Sequence, residues 1–357
     1  MSKKGVAIIG FGGMGRWHAR NLLASDVCTL TGVFDIDTAT YDYITNDERY
    51  TGISTYDSLE AVLADNAVDI VTIAIPNELH APVAKAAMRA GKHVVCEKPV
   101  CLSSEELEGI FAVARETGKL FTVHQNRRWD SDYLMVRDLY ASGELGEVFN
   151  IESRVLGSHG IPGDWRGHKE HGGGMILDWG VHLIDQMLGI VCDRRVEKLY
   201  CRCEHVTNYE VDDGFKLDLY FEGGVVGRIE VGTSHFIKLP RFFVNGTNGS
   251  ALVETWNCDG HVVCCKNRND KDVVPVVTAA GLTKTMAPRS KETITEYTVP
   301  YPKVDVHDFF RNFCLAIDGK EEQLITHAQL MRVMKIMEAA FASDERGEII
   351  SVNDQIC

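Results

Sequence analysis

Apolar positions along this 357-residue chain fall into two regimes. Up to about His124, short unbroken apolar runs alternate with stretches of helical spacing. Val6-Ala7-Ile8-Ile9, Leu30-Thr31-Gly32-Val33-Phe34, residues 68–75, His93-Val94-Val95-Cys96 and Leu120-Phe121-Thr122-Val123 have the character of strands buried on both faces. Between them, residues 16–24 set Trp17, Leu22 and Leu23 on one helical face, and residues 80–90 are alanine-rich and stop at Gly91. Ser103 and Glu106 offer a capping box for a helix that runs to about Gly118. Such βαβ alternation predicts an α/β domain over residues 1–123, built on a doubly wound parallel sheet.

Past His124 the pattern changes. Residues 132–145 read as a helix, 148–155 as a strand, and 175–191 as a helix interrupted by Gly180. Strand-like runs then follow one another at 199–205, 215–221, 225–231 and 251–256, separated by Gly or Asn-Gly turns. Strands without helices between them favour an antiparallel sheet, so residues 124–357 form a second α/β domain. Residues 267–291 are polar and irregular, a surface excursion. The chain ends in helices at 306–317 and 327–342 and a strand at 349–352, with the terminal helices expected to pack back on the first domain. There is no internal repeat and no low-complexity tail.

The first apolar run opens directly into Gly10-Phe11-Gly12-Gly13-Met14-Gly15. Glycine-rich turns are common, but here the strand before and the helix after give each glycine a task. Gly10 makes the tight turn, Gly12 admits a close pyrophosphate, and Gly15 allows helix and strand to pack closely. The diphosphate would rest on the free N–H groups of the helix start. Asp35 closes the next strand-like run 20 residues beyond Gly15, where a ribose-binding carboxylate belongs. A carboxylate accepts from a ribose 2′-hydroxyl and repels a 2′-phosphate. No Arg or Lys follows in residues 36–40, so NAD is favoured over NADP. The plainer alternative for Asp35 is a loop cap.

Charge and cysteine content narrow the partners. The net charge of −14 disfavours nonspecific nucleic-acid binding, and no apolar run approaches the ~20 residues of a membrane span. Lys3-Lys4 precedes an apolar run that the glycine loop cuts short, so the N-terminus reads as the first strand of a cytoplasmic protein. Eleven scattered cysteines suggest free thiols in a reducing compartment. Cys201-x-Cys203 and Cys264-Cys265 have no second pair at zinc-ligand spacing and read as packing residues, so no metal is expected. The formal sequons at Asn245 and Asn248 read as Asn-Gly turns between strands.

Two further motifs carry chemistry. In Cys96-Glu97-Lys98-Pro99, Lys98 stands at the C-terminal end of a parallel strand, where such folds place ligands, and the proline keeps it out of helical geometry. Beside a cationic nicotinamide its ammonium form would be disfavoured, which suits proton transfer; alone, a lysine there is usually a solvated charge. In Gly172-Gly173-Gly174-Met175-Ile176-Leu177-Asp178-Trp179-Gly180-Val181-His182, Asp178 and His182 share a helical face at i and i+4. The pair is either an acid/base set or a carboxylate–imidazole pair supporting the helix.

Gly10–Gly15, Glu97-Lys98-Pro99 and Asp178-x-x-x-His182 together resemble the glucose–fructose oxidoreductase/inositol dehydrogenase/MocA (Gfo/Idh/MocA) family, a likeness that extends to Asn126-Arg127-Arg128-Trp129 and Val211-Asp212-Asp213. The resemblance implies an N-terminal Rossmann domain and a C-terminal α/β domain with an open, mostly antiparallel sheet whose exposed face serves homo-oligomer contacts, in a dimer or tetramer. It implies Lys98, Asp178 and His182 as the catalytic set, a cis Lys98–Pro99 bond, and NAD between the domains. The cofactor side would comprise Gly10, Phe11, Gly12, Gly13, Met14, Gly15, Asp35, Pro76, Asn77, His80, Glu97 and Lys98.

Substrate contacts are expected from Arg127, Arg128, His159, Trp165, Arg166 and His182. One of the two arginines could instead form an interdomain ion pair. Trp165 suits a pyranose face, and His159, His168 and His171 suit polyol hydroxyls. The leading reading is an NAD-dependent oxidoreductase acting on a ring secondary hydroxyl of a sugar, glycoside (glucoside C3 among the candidates) or cyclitol, with a glucose-type ring favoured. Its rivals are an NAD-dependent glycosidase working by transient oxidation, and a silent nucleotide-binding sensor.

Overall fold

The computed structural model describes residues 3–270 and 272–354. The first domain is a six-stranded parallel sheet made of β1 (Lys4–Ile9), β2 (Cys28–Phe34), β3 (Ser54–Thr55), β4 (Ile70–Ile73), β5 (His93–Cys96) and β6 (Phe121–Val123). Their spatial order, β3-β2-β1-β4-β5-β6, reverses direction at β1 and β4, the place where a doubly wound sheet opens a crevice at its carboxyl end. The helices are α1 (Gly13–Leu23), the single turn α2 (Asp42–Thr45), α3 (Leu59–Ala64), α4 (His80–Arg89) and α5 (Ser104–Thr117). Strands β1, β4 and β5 are buried almost throughout because helices cover both faces, which is why their sequence is continuous rather than alternating.

Helix ends follow local chemistry. Ser103 accepts from the Glu106 N–H and Gly118 closes α5 in the left-handed region at φ 64°. Glu106 reaches the N–H of Leu102 rather than that of Ser103, so only half of the expected capping box forms.

The second domain begins with α6 (Ser131–Ser142) and β7 (Val148–Leu156). After a long loop come a π turn at Ile176–Gly180 and α7 (Val181–Ile190). Then follow β8 (Val196–Glu204), β9 (Gly214–Phe221), β10 (Val226–Gly232), β11 (Phe242–Gly246), β12 (Gly249–Val253), β13 (Gly260–Cys265), the hairpin β14 (Val276–Thr278) and β15 (Gly281–Thr283), and β16 (Ile294–Val299). Helices α8 (Asp308–Ile317) and α9 (His327–Arg346) and strand β17 (Ile350–Ser351) complete the chain.

Nine strands form one sheet in the order β16-β13-β12-β11-β7-β10-β9-β8-β17, and among its neighbouring pairs only β7 with β10 is parallel. The α/β architecture and the mostly antiparallel second sheet agree with expectation. The excursion at 267–291 is not wholly irregular, since it contains β14 and β15. The turns at the two sequons also differ in detail: Gly246 ends β11 and Gly249 begins β12, leaving Thr247-Asn248 as the turn.

The two domains share a seam. Helix α8 sets Phe309 edge-on to His124 (4.8 Å between centroids), and α9 stacks His327 on Phe111 of α5 at 4.1 Å. Arg311 of α8 pairs with Asp26 at the foot of the parallel sheet. No helix among the described residues is long and apolar enough to cross a membrane.

Candidate active site

The glycine loop is shaped by what its neighbours forbid. Gly10 has φ +89°, and a Cβ on Gly15 would lie 2.0 Å from the Gly10 carbonyl oxygen, so a side chain there would drive α1 off β1. Gly12 and Gly13 face open space, with nothing within 4 Å of an added Cβ. No side chain caps α1 and no acidic residue sits in its first turn, leaving its N–H groups and positive dipole end free for an anion. A dinucleotide diphosphate fits this cradle.

Asp35 lies beside it: one carboxylate oxygen accepts from Phe11 N–H (2.6 Å), the other from Asp37 N–H (2.8 Å). The acidic side chain therefore abuts the glycine loop, where a ribose edge would meet it. The Phe11 side chain is fully buried, while Met14 is exposed at the rim.

Lys98 follows β5 through a cis bond to Pro99. Its ammonium donates to the Asp178 carboxylate (2.7 Å) and to the Asp178 carbonyl (2.9 Å), bridging the two domains. The second Asp178 oxygen accepts from Arg166 Nε at 2.9 Å. Burial alone would push the Asp178 carboxyl up, but the charges of Lys98 and Arg166 outweigh it and hold it below the usual range. Arg166 also pairs with Asp164 (2.8 Å) and lies over the Trp165 ring at 4.5 Å.

The Asp178–His182 geometry differs from a shared helical face with a direct contact. The π turn at Ile176–Gly180 changes the angular spacing, and both Asp178 oxygens are taken by cations. His182 instead pairs through Nδ1 with Gln125 Oε1 at 3.1 Å. With that oxygen as acceptor, Nδ1 carries the ring proton and Nε2 the lone pair. Burial first, then the positive charges of Lys98 and Arg127, hold His182 well below the ordinary histidine range, so its ring is neutral.

Glu97 is buried and engaged by two histidines. One carboxylate oxygen is shared by His18 Nε2 (2.8 Å) and His124 Nδ1 (2.9 Å), all three residues being buried. Burial works against its charge, yet the two imidazoles outweigh that and keep the carboxyl well below its usual range. These are the only three His, Cys, Asp or Glu residues among those described that cluster closely enough to suggest a metal. Separations of 2.8 and 2.9 Å fit hydrogen bonds.

His80 is buried between the carbonyls of Ile75 and Pro99 (2.9 Å each) and ties the loop after β4, which includes Pro76, to the Lys98 segment. Asn77 donates to the carbonyl of His171 at 2.9 Å, another link between domains.

The substrate-side residues divide. Arg128 is committed to a bidentate pair with Asp185 (2.6 and 2.7 Å) and to Leu324 and Gln329, all within the second domain, so it is a structural ion pair inside that domain rather than one between domains, and its guanidinium is already engaged. Arg127 lies between Trp179 (4.3 Å) and Trp256 (4.9 Å) and pairs with Asp130. These residues line a cavity of about 500 Å³ together with Asn257. Trp179 is also edge-on to His182, with ring centroids 6.3 Å apart, which sets the cavity beside the Lys98, Asp178 and His182 cluster. His159 is exposed, and His171 is paired with Glu78 at 3.1 Å.

Sequence reasoning missed Gln125, His18, His124, Trp179 and Trp256. Gln125 had one usable signal, a polar residue just past the end of β6. The two tryptophans meet only through the fold.

Comparison with known proteins agrees with this layout. Residues 4–125 match the oxidoreductase family with an NAD-binding Rossmann fold, and residues 133–252 match the GFO/IDH/MocA C-terminal domain. An NAD-binding protein from Listeria innocua superposes with a TM-score of 0.93 at 42% identity, over 99% of this chain and 100% of that one. A scyllo-inositol 2-dehydrogenase (NADP(+)) of Bacillus subtilis is 27% identical over 82% of this chain and 81% of its own length. A D-glucoside 3-dehydrogenase of Escherichia coli is 30% identical over 52% and 53% of the two chains. The chain belongs to the Gfo/Idh/MocA family of NAD(P)-binding oxidoreductases.

Proposed function

We propose that the protein is an NAD-dependent dehydrogenase that oxidises a ring secondary hydroxyl of a neutral sugar, glycoside or cyclitol. The observation that carries this reading is the junction of Lys98, Asp178 and a neutral His182 at the carboxyl end of the parallel sheet. When bound, nicotinamide supplies the acceptor for the carbinol hydride.

His182 Nε2, the free lone pair of a ring whose other nitrogen is held by Gln125, accepts the hydroxyl proton. Lys98 Nζ, fixed by Asp178, donates to the substrate oxygen and stabilises its developing negative charge. Arg166 holds the far side of Asp178, so the lysine cannot swing without losing two partners. The family relatives that act on inositols and glucosides support the substrate class.

The cavity walled by Trp179, Trp256 and Arg127 suits the face of a second ring, and a glucoside with its aglycone lodged there is the preferred substrate. NAD is preferred over NADP because Asp35 occupies the ribose edge and residues 36–40 hold no cation. A homo-oligomer through the outer face of the nine-stranded sheet is part of this reading. That face carries paired charges such as Arg154 with Glu230 and Arg228 with Asp218.

Incubation with NAD and a neutral glucoside tests the activity by following reduced nicotinamide, ketone and released aglycone together. Ketone and reduced cofactor in equal amounts support a dehydrogenase. Aglycone released without either accumulating would replace it with a redox glycosidase.

A further inference from the structure

Cys28, the first residue of β2, and Cys314, in the middle of α8, lie 286 residues apart in the chain, yet their Sγ atoms approach to 3.5 Å. Neither takes part in the site described above. Their surroundings differ in a way that assigns each a role. Cys314 borders a cavity of about 250 Å³ whose wall also carries Lys4, Asp26, Arg311 and Asp318. Both thiols are buried, Cys314 at 4% and Cys28 at 1% exposure, but only Cys314 forms part of that wall, with Cys28 behind it. Ion pairs Lys4–Asp318 (2.7 Å) and Arg311–Asp26 (3.0 Å) hold α8 against the foot of the parallel sheet on either side of the thiols.

We propose that Cys314 and Cys28 are a peroxide-oxidisable thiol pair whose product is a reversible disulfide between the parallel sheet and α8. The oxidant is hydrogen peroxide or an organic hydroperoxide, entering through the cavity. Cys314 Sγ attacks the peroxide: an S–O bond forms, the O–O bond breaks, and the departing oxygen takes a proton to leave as water or an alcohol. Sulfur is oxidised to the sulfenic acid as the peroxide is reduced. Cys28 Sγ then attacks Cys314 Sγ. The S–S bond forms, the S–O bond breaks, and hydroxide leaves with the Cys28 proton as water. A dithiol such as thioredoxin restores the pair.

The electrostatics agree with this division of labour. The hydrogen bond between the two sulfurs, followed by the charge of Lys4, lowers the Cys314 thiol, whereas the same hydrogen bond and burial push Cys28 far up. The cavity admits the peroxide to Cys314, which supplies the nucleophile, with Cys28 behind it as the resolving thiol. The sulfurs must close by about 1.5 Å to reach bonding distance. Neighbouring residues on α8 carry the consequence toward the active site. Phe309 and Phe310 pack edge-on to His124 and His18, the two histidines that hold Glu97 beside Lys98. A staple at Cys314 therefore secures the wall behind that clamp.

The test treats the reduced full-length protein with hydrogen peroxide, blocks remaining thiols by alkylation, and maps the digest by mass spectrometry. A peptide linking Cys28 to Cys314, removed by dithiothreitol and formed before the exposed Cys192 is oxidised, supports the proposal. So does a rise in Tm on the order of 5 °C in the oxidised protein. Cys28→Ser should leave a sulfenic acid at Cys314 that dimedone traps, and Cys314→Ser should leave Cys28 unoxidised. The wild-type digest stands independently of how either variant folds. Oxidation of other cysteines with Cys28 and Cys314 still alkylated would overturn the proposal, as would an absence of dimedone adduct in folded Cys28→Ser.

Discussion

Lys98 and Asp178, 80 residues apart, meet at 2.7 Å across the boundary between the parallel-sheet domain and the π turn before α7 of the second domain. Burial alone would push the Asp178 carboxyl up, and the Lys98 charge beside it works against that. Arg166 completes the set, giving Asp178 two cations and fixing the lysine in place.

Lys98→Met should retain cofactor affinity and lose turnover by about 10²–10⁴-fold, the usual contribution of such a group. Asp178→Asn should cost a similar factor because it releases the lysine and Arg166 together. Steady-state kinetics on the double variant should give less than the product of the single losses, since the residues act as a unit.

Gln125 sets the proton on His182, and a carboxylate in its place would raise the imidazole pKa. For wild type, the oxidation rate should have no acid limb near pH 6.5, because His182 lies well below the ordinary value. Gln125→Glu should move the acid limb upward toward neutrality. A pH–rate profile of kcat/KM measures both.

Much of this was legible in sequence, for reasons that differ by region. Strand β5 (His93–Cys96) was read with its bounds intact because glycine and proline bracket a short apolar run. Strands β11 and β16 were missed because edge or half-exposed positions dilute their alternation with polar residues. The π turn before α7 leaves no periodic signature. It lies where Phe215 from β9 comes within 3.0 Å of a Cβ on Gly180, a tertiary fact.

The same holds in the site. Lys98, Asp178 and His182 stand out in their motifs, but their partners do not. Gln125 and His182 are 57 residues apart, and His18 meets Glu97 across 79. Arg128, adjacent to Arg127 and chemically identical, was separable from it only by finding Asp185.

Asp35→Ala should weaken NAD binding and narrow the preference over NADP, because the ribose hydroxyls lose their acceptor and a 2′-phosphate is no longer repelled. Calorimetric titration with both cofactors reads the change directly. A wild type that prefers NADP would contradict the assignment.

Burial holds His93 down to about 4, and its Nδ1 accepts from the Leu120 N–H, which requires the neutral ring. The unfolded ring binds its proton near pH 6.5. Stability from His93 is therefore present above that value and lost as pH falls from about 6.5 to about 4. His182 and His80, also lowered by burial, act with the same sign. Tm should drop across that window, and His93→Gln, which keeps an acceptor without titrating, should flatten part of the fall.

The account rests most on a neutral ring alcohol being the substrate. The deciding measurement is kcat/KM from reduced-nicotinamide absorbance on a glucoside, free glucose, myo-inositol, glucose 6-phosphate and a sugar acid. The account predicts that the neutral compounds lead and the glucoside ranks first, its second ring lodged in the cavity that Trp179 and Trp256 wall. A lead for inositol would overturn only that ranking; a clear preference for the phosphate or the acid would contradict the substrate class itself.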